Sequence, residues 1–432
     1  MAGGIGSMLE FYDFYLYGAL SATVFGKLFF HNADPAVGTL LALATFGVGF
    51  VARPVGGIIA GHFGDRVGRK AVLIATLSLM GVSTVGIGLL PTYDAIGVAA
   101  PILLVALRIL QGLAHGGEWG GASIMTIEHA PHGRRGFYGS WPQTGIYGGL
   151  ILASLVLGGF MLLPDDQFLS WGWRVPFLLG AVLLVVGIIL RRAITESPEF
   201  TEAARAAKAA AQTEQPVRIP LMEALRTSRR GILVTFAAKA AETCTFYLIT
   251  VFALTLAKSG AGESSARTGI LVASVAALLT IGFFGLLADR IGSRAVYMAG
   301  AAVMMVFAFP FFALAGANTW WTLWLALIIG LGVSHSLMYA AQASYFSALF
   351  DTRVRFTGAS LGYQLGAAIV GGFTPLIAAA LMLRSDGATW PIAVYIAGVC
   401  LISLVVLAFW GRIRDRSTAV VVEPIAATEV TR

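Results

Sequence analysis

The chain has 432 residues, 57% of them hydrophobic and only 12% charged, with a mean hydropathy of +0.81. Soluble domains carry about 25% charged residues, so the outer surface of this fold must also be apolar and its solvent is lipid. The net charge of +7 belongs to one membrane face, as shown below, and requires no nucleic-acid partner.

Apolar stretches long enough to cross roughly 30 Å of hydrocarbon recur from end to end, and no ten-residue alternating segments of the β-barrel kind stand out. Spans are predicted at about 5–30, 36–62, 70–90, 98–128, 136–163 and 172–193. After a polar stretch they continue at about 230–257, 266–288, 295–316, 320–348, 356–383 and 390–411. The first stretch lacks a basic start and contains Glu10 and Asp13, so it is a span and not a signal peptide. Cys244 and Cys400 lie inside apolar spans and read as small apolar side chains rather than a disulfide framework. The expected organisation is a first six-helix half at 1–193, a connector at 194–229, a second half at 230–411 and a tail at 412–432. Of the 29 Lys and Arg, 21 fall on the side where the chain starts and five on the other; Arg53, Arg108 and Lys239 lie within spans. The positive-inside rule then puts both termini in the cytoplasm.

The halves repeat. Gly61-His62-Phe63-Gly64-Asp65-Arg66-Val67-Gly68-Arg69-Lys70 follows the second span, and Gly285-Leu286-Leu287-Ala288-Asp289-Arg290-Ile291-Gly292-Ser293-Arg294 follows the eighth. Gly, Asp, Arg, Gly and a terminal base recur at the same spacing, as expected of two related units inserted in the same direction. The glycines allow close helix approach. Asp65, Arg66, Arg69 and Lys70, with Asp289 and Arg290 in the repeat, can form charged contacts that hold one state and break in another. We therefore read Gly61, Asp65, Arg66, Gly68, Arg69, Lys70, Asp289 and Arg290 as a cytoplasmic gate. The fold class expected is an all-α integral membrane protein, twelve transmembrane helices in two pseudo-symmetric six-helix bundles around a central cavity.

With these motifs the chain resembles the major facilitator superfamily over essentially its whole length. Leu9-Glu10-Phe11-Tyr12-Asp13-Phe14-Tyr15-Leu16-Tyr17-Gly18, Arg53-Pro54-Val55-Gly56-Gly57, Gly116-Gly117-Glu118-Trp119-Gly120-Gly121-Ala122 and Thr195-Glu196-Ser197-Pro198-Glu199-Phe200 are similar to the metabolite:proton symporter family. The resemblance implies alternating access and proton-driven uptake of organic acids or zwitterions such as dicarboxylates, citrate, shikimate or betaines. The family usually has a cytoplasmic leader before its first span, and the chain departs from it by entering that span almost at Met1. Drug/proton antiporters of the superfamily carry a Gly-Pro pair in the fifth span; Pro142 here follows Trp141, which speaks against export.

Ionisable groups in hydrocarbon are costly and mark functional sites. Glu10, Asp13 and Tyr17 share one stripe of the first span, and Arg108, Gln111, His115 and Glu118 one stripe of the fourth. Asp13 is the leading proton carrier, coupled to the cycle if it meets Arg108 in one conformation only; the alternative is a permanent salt bridge. Arg108 and Gln111 stand in Arg-Ile-Leu-Gln-Gly, which matches a superfamily motif associated with proton coupling, and arginine can grip a carboxylate through two parallel bonds. His115 and Glu118 extend a possible proton path. Arg53 lies about 18 Å of helix before Asp65; the resemblance, whose second-span Arg-Pro-x-Gly-Gly stands by the cavity, implies that it binds a substrate anion, and a structural bond to neighbouring helix carbonyls is the alternative. Lys239 and Glu242 read as a self-neutralised pair or a substrate clamp, and Glu128 and His129 as gate or loop contacts. Tyr17, Gln111, Tyr147, Tyr247, His335, Tyr339 and Gln364 complete the expected substrate set.

No cofactor or metal is expected beyond the coupling proton. The partners expected are a small carboxylate or zwitterion and the bilayer of the plasma membrane, with the chain monomeric. An enzyme would need a nucleophile–base set, metal cluster or phosphate loop, and the sequence has none. A channel would favour a symmetric oligomer with a short filter, and a sensor a signalling domain. Within transport, proton-coupled efflux or uniport is the alternative to symport.

Overall fold

Twelve apolar helices cross back and forth in the computed structural model, which describes residues 2–67, 69–116, 133–193, 220–257, 262–350 and 354–413 together with 123, 126, 127, 130 and 131. In the first half these are α1 (Ala2–Leu20, continued by Ser21–Phe25 and Gly26–Phe29), α2 (Pro35–Val67), α3 (Arg69–Leu89), α4 (Ala99–His115), α5 (Arg135–Phe160) and α6 (Arg174–Ala193, preceded by Phe168–Gly172). In the second half they are α7 (Arg229–Tyr247, continued by Leu248–Phe252 and Ala253–Ala257), α8 (Glu263–Ile291), α9 (Ser293–Gly316), α10 (Trp320–Leu327, Ile328–His335 and Ser336–Ala348), α11 (Arg355–Gly366, Ala367–Gly371 and Thr374–Arg384) and α12 (Trp390–Trp410). Every regular element among the described residues is a helix.

Eight of these helices are long and apolar enough to cross hydrocarbon singly, and α6 makes a ninth with its leading segment, bent by 42°. The other three are α1, which carries Glu10 and Asp13, and the shorter apolar runs of α3 and α4. Apart from the end of α4, described to His115 where the span was predicted to 128, the described helix ends fall within a few residues of the predicted spans. Helix α2 runs further, to Val67. Leu279, Phe283, Val306 and Phe409 are all more than 60% exposed, a surface only lipid can solvate. Trp320, Trp321 and Trp390 lie exposed at helix starts and Trp410 at a helix end, where indole rings favour the membrane–water boundary. Cys244 and Cys400 are free and buried.

Small residues let the helices touch backbone to backbone. A methyl at Gly112 of α4 would collide with the carbonyl oxygen of Gly49 on α2, and one at Gly116 with that of Arg53. Backbone atoms cannot step aside as a side chain can, so overpacking here is costly. Gly112→Val is expected to destabilise the protein by at least about 1–3 kcal/mol, read as a lower melting temperature in detergent; an unchanged melt would mean that α2 and α4 separate freely.

The terminal base of the second repeat has a structural task. Arg294 donates from Nε and Nη2 to the Leu407 carbonyl and from Nη2 to that of Ala408, at 2.9–3.1 Å. Arg230 donates to Trp410 at 2.8 Å, and Tyr345 to Gly411 at 2.9 Å. Together they bond the carbonyls of Leu407, Ala408 and Trp410 in the last turn of α12 and that of Gly411 just after it.

Five helices contain a π-helical turn, and four of those turns lie in α1, α7, α10 and α11. Such turns often mark functional positions, and these four helices carry most of the buried polar side chains. The two halves touch at both levels of the bundle. On the face opposite the motif loops, Gly18 of α1 meets Val251 of α7 and Gly47 of α2 meets Phe373 of α11. On the basic face, Gly136 of α5 meets Gly285 of α8.

Candidate functional site

Asp13 is 2% exposed, between α1, α3 and α4. Its Oδ2 accepts from Gln111 Nε2 at 2.7 Å, and its Oδ1 contacts the Thr84 hydroxyl at 2.8 Å. Arg108 Nη1 stands 3.9 Å from Oδ2 and donates instead to Gln111 Oε1 at 2.9 Å. The expected pair is therefore present, but the two-bond grip that arginine can offer is not: Gln111 bridges the charges. The guanidinium is held by ring faces, 4.2 Å from the centroids of both Phe14 and Tyr17, a favourable cation–π setting. Gly49 leaves it room, since a methyl there would sit 2.6 Å from Arg108 Nε.

Thr84 makes this carboxylate tolerant of either protonation state. Its single hydroxyl proton faces two acceptors, Asp13 Oδ1 at 2.8 Å and the Met80 carbonyl at 2.9 Å. Donating to Asp13 serves the ionised carboxylate. Turning to Met80 frees the hydroxyl oxygen to accept from a protonated Asp13.

Beside this cluster, His115 Nδ1 lies 3.2 Å from Glu10 Oε1. Tyr17, expected among the substrate residues, bonds Thr45 at 2.7 Å, and Gln111 is absorbed by the Asp13 cluster. Arg53 presents a different picture. It is 3% exposed, lies over the rings of Phe14 and Phe50 at 4.1 and 4.0 Å, and leaves Nε and Nη2 without a partner among the described residues. The structural bond to helix carbonyls that competes with an anion-binding role is not formed by those two nitrogens. Phe14 thus touches both Arg53 and Arg108.

A second chain crosses between the halves. Lys239 Nζ lies 2.5 Å from Glu242 Oε2, which also accepts from Thr243 at 2.9 Å. Glu242 Oε1 is 2.9 Å from His335 Nε2, and His335 Nδ1 is 2.8 Å from the hydroxyl of Tyr147 in the first half. Tyr147 also reaches Ser336 at 3.0 Å. Tyr339 stacks on His335 with centroids 5.1 Å apart, and Lys239 sits 4.0 Å over Tyr363. Tyr247 packs edge-on against Phe46 and Phe50, and Gln364 Nε2 donates across the halves to the Gly116 carbonyl at 3.0 Å. Spacing along single helices did not reveal Thr84, Phe14, Phe50, Thr243 or Ser336.

On the basic face a cavity of about 250 Å³ is lined by Arg135, Asp289, Ser344, Ser347 and Arg355, among others. Asp289 accepts from the backbone N–H groups of Gly136 at 2.5 Å and Phe137 at 3.0 Å. These are second and third positions of α5, so a carboxylate of the second half caps a helix of the first, where the helix dipole favours negative charge. Arg290 is exposed. Glu118, Gly68, Glu128 and His129 lie outside the described residues, as do the side chains of Gly61, Asp65, Arg66, Arg69 and Lys70.

Two repeated six-helix units packed around buried charges are the layout of a membrane transporter. The chain belongs to the Major Facilitator Superfamily, which it matches over residues 4–359 and again over 232–430. It is 42% identical over 403 residues to the shikimate transporter of Escherichia coli (strain K12), covering 92% of this chain and 90% of that one. It is 33% identical over 415 residues to the proline/betaine transporter of the same organism, covering 94% and 81%. Among solved structures it is similar to a D-xylose-proton symporter, with a TM-score of 0.74 at 16% identity over 96% of this chain and 98% of that one. These relatives are transporters and not enzymes, as the sequence led us to expect.

Proposed function

We propose that the protein is a proton-coupled symporter carrying a small organic acid or zwitterionic metabolite into the cell, as a monomer in the plasma membrane with its basic face cytoplasmic. The units at 1–193 and 230–411 rock about the buried centre, joined by the connector at 194–229, with 412–432 a cytoplasmic tail. The reading rests on Asp13: a buried carboxylate held by neutral donors, with its nearest cation 3.9 Å away. It can gain a proton without breaking a direct ion pair, and Thr84 accommodates both states. The proton is the only cofactor. Arg53 receives the substrate carboxylate, and Phe14 carries its displacement to Arg108. Lys239, Glu242, His335 and Tyr147 form the second-half side of the site. Relatives that carry shikimate or proline/betaine support a substrate of this size.

Symport requires uptake that rises with an inward proton gradient and collapses with a protonophore. Radiolabelled carboxylate uptake into proteoliposomes, insensitive to both, would establish uniport instead; uptake driven by an outward proton gradient would establish antiport.

The Asp289 cap closes the basic face. Asp289→Asn is expected to weaken closure by about 0.5–2 kcal/mol. A Ser344→Cys reporter in the cavity should then react several-fold faster with a hydrophilic maleimide, and an unchanged rate would remove Asp289 from the gate.

A further inference from the structure

Buried polar atoms without a hydrogen-bond partner among the described residues occur on several helices, and four of those helices, α2, α5, α10 and α11, contribute long donor and acceptor side chains. Among the described residues, Arg53 leaves Nε and Nη2 unbonded, Gln143 its Nε2, Gln342 both Oε1 and Nε2, and Gln364 its Oε1. All four residues are 5% exposed or less. Folded proteins pair nearly all such atoms, so a set of orphans contributed by both halves calls for an explanation. Gln143 and Gln342 share the seam between α5 and α10. Gln143 lies one turn before Tyr147, which bonds His335, and one turn after Gly139, which packs against Ala343. Gln342 follows His335 and Tyr339 on the same helical stripe.

The chemistry of the orphans is selective. Arg53 offers only donors, which suits an anion. Gln143 and Gln342 add donors, while Gln342 and Gln364 offer acceptors that only an N–H or O–H can fill. A carboxylate has no such proton and a quaternary ammonium has none either. A hydroxyl both donates and accepts. Phe50 and Tyr339 supply flat surfaces for a carbon frame.

Resting on the symport reading above, we infer that Gln143 and Gln342 determine specificity by reading the hydroxyl groups of a hydroxylated carboxylic acid whose carboxylate pairs with Arg53. Gln143 Nε2 and both polar atoms of the Gln342 amide stay unpaired until that acid enters, and an acid without hydroxyls leaves them so, which is how buried polar sites reject an analogue lacking the matching group.

The test uses the full chain in proteoliposomes with acids paired to their deoxy counterparts: shikimate with cyclohex-1-ene-1-carboxylate, malate with succinate, citrate with tricarballylate. The wild type should prefer the hydroxylated member of at least one pair. Gln342→Met and Gln143→Met, which keep the volume and lose the amide, should each lower kcat/KM for that member by roughly 10- to 100-fold and leave its counterpart's rate unchanged. Their ligand-free melting temperature should equal or exceed that of the wild type, since an orphan amide is gone. Equal losses on both members of a pair, or a lowered melt, would assign the glutamines to structure and overturn the inference. Preference for glycine betaine over every acid would overturn it too. Amide-dependent uptake of the hydroxylated acid without proton movement would uphold the inference while refuting symport, and no transport of any pair would refute both.

Discussion

Asp13→Asn is expected to abolish concentrative uptake while leaving substrate exchange intact. Asparagine preserves the shape and keeps a hydrogen-bonding partner for Thr84, so the buried cluster holds together. It cannot exchange a proton, and the substrate is then no longer tied to the gradient. One proton carried with a monoanion makes each pH unit of gradient support about tenfold accumulation; the variant should reach a ratio of about one under the same gradient. Counterflow of labelled against unlabelled substrate should persist near the wild-type rate, because exchange needs the moving halves but no net proton. Accumulation retained by Asp13→Asn would take the coupling role from this residue, and loss of exchange as well would make it structural.

The second large effect concerns Lys239. Glu242 is 2% exposed and its one cationic neighbour on its own helix is Lys239, at 2.5 Å. Lys239→Met would leave that carboxylate buried with Thr243 and His335 alone. Breaking a buried pair on one side costs about 3–5 kcal/mol, whereas removing both charges is often nearly neutral. Lys239→Met should therefore melt far below the wild type, and Lys239→Met/Glu242→Gln should recover most of the loss. If the pair also clamps the substrate, the double variant will be stable and inactive in uptake. A double variant that is stable and fully active would reduce the pair to self-neutralisation.

Much of this architecture was legible because a bilayer imposes simple rules. Apolar runs gave the helices, lysine and arginine placement distinguished the faces, and spacing put Asp13 and Arg108 on stripes that do meet. What stayed hidden was whatever depends on contacts between distant helices. Thr84 is one hydroxyl in an apolar helix, where bonding a preceding carbonyl is its ordinary state; only the fold sets Asp13 against it. The bridging of Asp13 and Arg108 by Gln111 is likewise invisible in a stripe, which says that side chains share a face but not which one stands between the others. Phe14, Phe46 and Phe50 carry no charge or spacing signal, and they are the surfaces on which the two buried arginines rest. The repeat motif revealed Asp289, but its partners, the N–H groups of Gly136 and Phe137 in the first turn of α5, lie 153 and 152 residues away. The Tyr147–His335 bond spans 188 residues and joins two residues that the sequence had placed in the same site for separate reasons.

The central claim, that substrate and proton enter together, is tested most directly by a pH-sensitive dye sealed in proteoliposomes of known protein orientation, with hydroxylated and simple carboxylates, aromatic acids and betaines added outside in turn. Acidification of the lumen by at least one compound, absent in Asp13→Asn, is the predicted result. Substrate entering with no change in lumenal pH, or with alkalinisation, would contradict it.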